Sequence, residues 1–226
     1  MDFFIFYGLT IISVIITLGA QAYISSSYSK YSKVNNKKGV SGKEVARALL
    51  DKHGLQDIKV VETSGMLTDH YDPQNRVIRL STKIYHDTSI ASVSVAAHEC
   101  GHAIQDKNGY LFLRIRHSLI PLVNLCSYAG YFAIMLGALF SALGLIWIGI
   151  GAEMVILLFQ VITLPVEIDA SKRGLKELKE ENYLDSKELG SGKVMLTSAA
   201  LTYVASVAAT VLQVLRLVLI YGKRRD

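Results

Sequence analysis

The sequence predicts a mainly α, integral membrane protein with about four transmembrane helices and a polar domain holding a few short strands. Three observations predict this. Hydrophobic residues make up 51% of the 226 positions and charged residues 19%, and the charges are segregated. Residues 3–29 carry none, 118–165 carry only Glu153, and 194–221 carry only Arg216. An apolar run of about 20 residues suffices to cross a bilayer, so 118–165 is long enough for two crossings. The intervening polar blocks, 30–117 and 166–193, carry helix caps and turn signals of their own. This pattern excludes a single soluble domain and a disordered chain.

Each element follows from local chemistry. The run 3–29 contains Ala20-Gln21-Ala22, which looks like a signal-peptide cleavage site. However, Asp2 is the only charge before it, no Lys or Arg precedes it, and the stretch from Phe3 to Ile24 is long for a leader. A retained first transmembrane helix is expected. In the block 30–117, Ser41 with Glu44 forms a capping box ahead of Val45, Ala46, Leu49 and Leu50, and Gly54 ends that helix. Ile58 to Val61 reads as a strand, Asp72-Pro73-Gln74-Asn75 as a turn and Val77-Ile78-Arg79-Leu80 as a second strand. Ile90 to Gln105 reads as a buried helix. The run 118–165 reads as a transmembrane hairpin, broken near Ser141–Gly144 or Gly149–Gly151 and ending at Pro165. In 166–193, a Lys- and Glu-rich solvated helix is expected, followed by a Gly190-Ser191-Gly192 linker. A fourth membrane helix, 194–221, offers Ala199, Ala200, Ala205, Ser206, Ala208 and Ala209 for close packing in lipid.

The two cysteines, Cys100 and Cys126, do not make a disulfide framework. The net charge of +5 is no sign of nucleic-acid binding, because the basic residues flank the apolar runs as membrane anchors do. Lys30, Lys33, Lys37, Lys38, Arg114, Arg116, Lys172, Arg173, Lys176 and Lys179 all fall on the side of the two polar blocks, while the hairpin turn has no Lys or Arg. The positive-inside rule then places both blocks in the cytoplasm. Lys223-Arg224-Arg225 dissents, since four crossings put that tail on the opposite side.

The chemistry centres on His98-Glu99-Cys100-Gly101-His102. Residues four apart share a helix face, so both imidazoles can reach one Zn²⁺, with Glu99 placed to take a proton from the water it activates. Cys100 lies roughly 160° around the helix from either histidine and is expected to pack in the core. A catalytic zinc has three protein ligands and an open position. The metzincin extension is absent, because Gln105 and Asn108 stand where it needs Gly and His. The third ligand must come from elsewhere. Glu167, in Leu164-Pro165-Val166-Glu167-Ile168-Asp169-Ala170-Ser171, is the better candidate and His117 the weaker. An acidic residue emerging from a membrane run is costly unless used. Asp169 is a candidate supporting residue for the ligands. His70 and Tyr71 are candidates for stabilising an oxyanion. His53 is expected to serve a helix C-terminus, and His86 to lie on the surface.

Three segments together resemble a known family: Leu67-Thr68-Asp69-His70-Tyr71-Asp72-Pro73, the stretch from Ser89 to Gln105 around the HExxH motif, and the segment from Leu164 to Ser171. They look like the membrane gluzincins, the HtpX-type proteases and CAAX prenyl endopeptidases. The nearer resemblance is to the neutral zinc metallopeptidases of the YugP-like type, small bacterial membrane proteins, and it covers nearly the whole chain. The resemblance implies one catalytic Zn²⁺ held by His98, His102 and Glu167, with Glu99 as catalytic base. Relative to the HtpX pattern, Ser171 replaces an Asp. It implies a multi-pass enzyme of the bacterial plasma membrane with a zincin-like cytoplasmic domain, acting on membrane proteins or unfolded polypeptides. Partly from the same source, Val77 to Leu80 is expected to be an edge strand for an extended substrate. The alternative from another class is a membrane scaffold or adaptor with a structural zinc closed by four ligands, for which Asp169 or His70 would have to serve.

Overall fold

The computed structural model describes residues 7–222. Asp2, the first residues of the run 3–29 and the basic tail Lys223-Arg224-Arg225 lie outside the described residues. In chain order the elements are α1 (Leu9–Tyr31), α2 (Gly42–Lys52), β1 (Lys59–Thr63), β2 (His70–Asp72), β3 (Val77–Ser81), α3 (Thr82–His86), α4 (Ile90–Lys107), α5 (Leu111–Leu139), α6 (Leu143–Glu180) and α7 (Ser186–Tyr221). The protein is mainly helical, and α1, α5, α6 and α7 are each long and apolar enough to cross a membrane. Contacts divide the described residues into two units, one comprising 7–21, 114–165 and 201–222 and the other 22–113 and 166–200.

The first unit is built from the apolar helices. Tyr128, Leu139, Phe140 and Ile148 are exposed, as lipid-facing side chains would be. Helices α5 and α6 meet through glycines: a Cβ on Gly130 would lie 2.6 Å from the Ala152 Cβ, and one on Gly149 would lie 2.3 Å from Ile134. Gly149 is therefore a packing residue inside α6. The chain turns at Phe140–Ala142, with Ser141 left-handed at φ 53°. Pro165 does not end α6, which continues unbroken to Glu180. Composition changes there but the helix persists, at the cost of one backbone hydrogen bond. Arg216, a charge inside an apolar helix, donates to Thr10 Oγ1 at 2.7 Å.

The second unit has a conventional hydrophobic core, with Val45, Leu49, Leu50, Ile58, Ile78, Leu80, Ile84, Cys100, Leu178 and Met195 all buried. The Ser41–Glu44 capping box opens α2: Glu44 N–H donates to Ser41 Oγ at 3.3 Å, and Ser41 N–H donates to Glu44 Oε2 at 2.7 Å. The sheet order is β1-β3-β2, with β1 parallel and β2 antiparallel to β3. The expectation that Val77 to Leu80 is an edge strand is therefore corrected. Val77, Ile78 and Leu80 are buried because β3 is central, and both of its backbone edges are already paired. The free edges belong to β1 and the three-residue β2.

Helix α4 begins at a Ser89 cap, whose Oγ accepts from Ser92 N–H at 3.1 Å, and is buried over most of its length. Small residues line it, so neighbours approach closely. A Cβ on Gly101 would lie 2.4 Å from the Ala170 carbonyl oxygen, and one on Gly174 would lie 2.7 Å from that of Ala97. The C-terminal part of α6 thus crosses α4 at backbone contact. Gly190-Ser191-Gly192 is not a linker but part of α7. Gly192 sits where a Cβ would lie 2.6 Å from Ser94 Oγ on α4, so it serves close packing rather than flexibility. The break between α6 and α7 falls earlier, over residues 181–185.

Candidate metal centre

His98 and His102 stand one turn apart on α4, with ring centroids 4.7 Å apart. The α4–α6 crossing brings Glu167 onto them. Its Oε2 lies 3.3 Å from His98 Nε2 and 3.7 Å from His102 Nε2. One ligand atom from each of the three residues lies within 4.8 Å of the others. His102 and Glu167 are buried and His98 is partly so. This cluster does not include His117 or Asp169.

The hydrogen bonds behind the cluster bear on whether it suits a metal. Gln105 Nε2 donates to two atoms that can only accept, the Val166 carbonyl oxygen at 2.9 Å and Asp169 Oδ2 at 2.8 Å. That fixes its amide orientation, so Oε1 is the atom 3.0 Å from His102 Nδ1. An amide oxygen only accepts, so Nδ1 carries a proton, which leaves Nε2 as the nitrogen available to a metal. His98 Nδ1 lies 3.0 Å from Ser171 Oγ, which can accept in the same way. Two imidazole nitrogens and a carboxylate oxygen, with the far nitrogens hydrogen-bonded, are the donor set of a catalytic zinc site. The residues fit the metal.

Glu99 is buried beside the cluster, and the Tyr71 backbone N–H donates to its carboxylate. Burial, opposed by the nearby His98 and reinforced by Glu167, pushes its carboxyl up to about 7. Cys100 faces the core, with its Sγ 3.5 Å from the Ala46 carbonyl, and burial pushes its thiol up, away from the thiolate a metal needs.

The other sequence candidates fall differently. Asp169 is not among the three clustered residues; it accepts from Gln105 and from Arg173 Nε at 2.5 Å. His70, a candidate for the oxyanion, is exposed with Nδ1 2.8 Å from the Thr68 carbonyl, and the hydroxyl of the other candidate, Tyr71, donates to Asp106 at 2.9 Å. It is the Tyr71 backbone that meets the site. His53 caps α2 and contacts Glu177 Oε1 at 2.9 Å, and His86 is exposed against Glu62. Sequence reasoning missed Gln105 and the contact of Ser171. The available signal was Gln105's position three residues after His102, on the same helix face.

The chain is 40% identical over 222 residues, 98% of this chain and 99% of the relative, to a Bacillus subtilis (strain 168) protein described as "Putative membrane protease YugP". No solved structure matches the chain. A family model matches residues 6–222, and the chain accordingly belongs to the family described as "Putative neutral zinc metallopeptidase".

Proposed function

We propose that this protein is a membrane-embedded zinc metalloendopeptidase of gluzincin type. The observation that carries the reading is the convergence of His98, His102 and Glu167, from two helices, beside the buried Glu99. When bound, zinc would acidify a water and polarise the scissile carbonyl. His98, His102 and Glu167 would hold it. Glu99 accepts the proton of the attacking water and passes it to the leaving amine. Burial pushes its carboxyl up to about 7, near the pH at which a group can both take up and return a proton.

Three donors leave a fourth position open, whereas a structural zinc is normally closed by four. Of the two residues that would have to close it, Asp169 is engaged by Gln105 and Arg173, and His70 by the Thr68 carbonyl. This favours the enzyme over a scaffold. The purified protein is expected to carry about one zinc per chain. His98→Ala, His102→Ala and Glu167→Ala are each expected to lower occupancy, measured by elemental analysis after dialysis. Full retention in Glu167→Ala would remove the third ligand and with it the gluzincin reading.

We further propose that the catalytic unit is cytoplasmic, on the Lys and Arg distribution. Reporter fusions at Lys38 and Glu181 are expected to read cytoplasmic, and one at Leu143 external. Opposite readings would make the protein a surface- or periplasm-facing protease. Glu167 lies two residues beyond Pro165, where the apolar run ends. On that basis the metal works near the bilayer surface, and its substrates are membrane proteins cut in juxtamembrane or unfolded segments.

A further inference from the structure

We infer that Gln105 is a positioning residue for His102, held in place from α6 by Val166 and Asp169, so that the helix supplying the third ligand also sets the tautomer of the second. The inference rests on the zinc reading for its purpose, but its geometry is independent of it. His102 is buried, and its ring nitrogens face different groups: Nε2 faces Glu167, and Nδ1 faces Gln105 Oε1 at 3.0 Å. Gln105 is itself fully buried, so each of its amide atoms needs a partner, and each has one. Both N–H bonds are spent on α6, on the Val166 carbonyl and on Asp169 Oδ2. The amide cannot flip without aiming its N–H groups at the His102 nitrogen and its oxygen at two acceptors. The flipped state leaves buried acceptors facing one another, which is strongly unfavourable.

Asp169 is in turn held by Arg173, one turn on along α6. Arg173 lies over the Tyr110 ring, 5.9 Å from its centroid. A chain of contacts therefore runs Arg173–Asp169–Gln105–His102. Its chemical result is that Nδ1 of His102 faces a fixed acceptor, so a neutral His102 carries its proton there. His98 lacks such a device. Ser171 Oγ is both donor and acceptor, so its contact at 3.0 Å allows either tautomer of His98. The two histidine ligands are thus unequally prepared, with His102 fixed and His98 adjustable.

The test uses the full-length protein in detergent micelles, with two readouts. The first is the ¹⁵N chemical shifts of His102 in metal-free, histidine-labelled protein, which report the tautomer without zinc or activity; the resonance is assigned by its loss in His102→Ala. The second is zinc affinity by competition with a chelator. Gln105→Met is expected to abolish the Nδ1–H preference and to weaken zinc binding by about 10–100-fold, the usual consequence of losing such a supporting contact. Gln105→Glu combined with Asp169→Asn keeps an acceptor for Nδ1–H, gives the new carboxylate an amide donor in place of the Asp169 carboxylate, and is expected to restore the tautomer, which separates hydrogen bonding from packing. If Gln105→Met fails to fold, the double variant and wild type still decide the tautomer. Wild-type His102 without a proton on Nδ1, or Gln105→Met with an unchanged tautomer and unchanged zinc affinity, would overturn the inference. Wild type that takes up no zinc but shows Nδ1–H in His102 overturns the metallopeptidase reading while leaving the role of Gln105 intact.

Discussion

Glu99→Gln is expected to bind zinc as wild type does and to cleave peptide bonds about 10²–10⁴-fold more slowly, the range associated with a lost general base. The two halves of this expectation have separate physical origins. Glu99 is not one of the three clustered donors, so the site keeps its metal. The glutamine amide has the same shape but cannot take up the water's proton. Its oxygen can still accept from the Tyr71 N–H, so the fold around it is retained. The measurement is turnover in liposomes, with wild type and Glu99→Gln each offered a loosely folded soluble protein and a membrane-tethered one carrying the same sequence. Equal cleavage by the variant would disprove the assignment of Glu99. Equal cleavage of the two substrates by wild type would disprove the membrane-proximity argument and leave the zinc chemistry standing.

The ligand spacing within α4 was legible because it depends on one helix alone. His98 and His102 are four apart, and the cap at Ser41 acts within three residues. What depends on a second element was less legible. The strand at Val77 to Leu80 was visible, but its central place depends on pairing with β1 and β2, which its own residues do not encode. Glycine is ambiguous in the same way. Gly190 and Gly192 read as flexibility, whereas the structure places both in a helix with Gly192 against Ser94. Glu167 could be singled out because an acidic residue at the end of an apolar run is unusual. Gln105 was marked only by its place three residues after His102, and its meaning appears only when Val166 and Asp169 lie opposite it.

That dependence on the α4–α6 crossing makes Gly101 a sensitive position outside the donor set. A Cβ there would lie 2.4 Å from the Ala170 carbonyl oxygen and 3.0 Å from the Ala170 Cα. These are backbone atoms of a continuous helix and cannot turn aside as a flexible side chain would. Gly101→Ala must therefore push α6 away from α4, at a cost of about 1–3 kcal/mol, typical of overpacking. Ala170 is one turn from Glu167, so the displacement reaches the third ligand. Metal sites tolerate departures of only about 0.2 Å from ideal ligand distances, and zinc affinity is expected to fall along with stability. Gly174→Ala, where the obstacle is the Ala97 carbonyl at 2.7 Å, is expected to act in the same direction. Gly190 is the control. It lies in α7 with nothing within 4 Å of an added Cβ, so Gly190→Ala is expected to stabilise by up to about 1 kcal/mol through lower chain entropy. Thermal unfolding in detergent and chelator competition on the three variants provide the check. If Gly101→Ala unfolds and binds zinc as Gly190→Ala does, the close crossing of α4 and α6 does not hold the metal centre together.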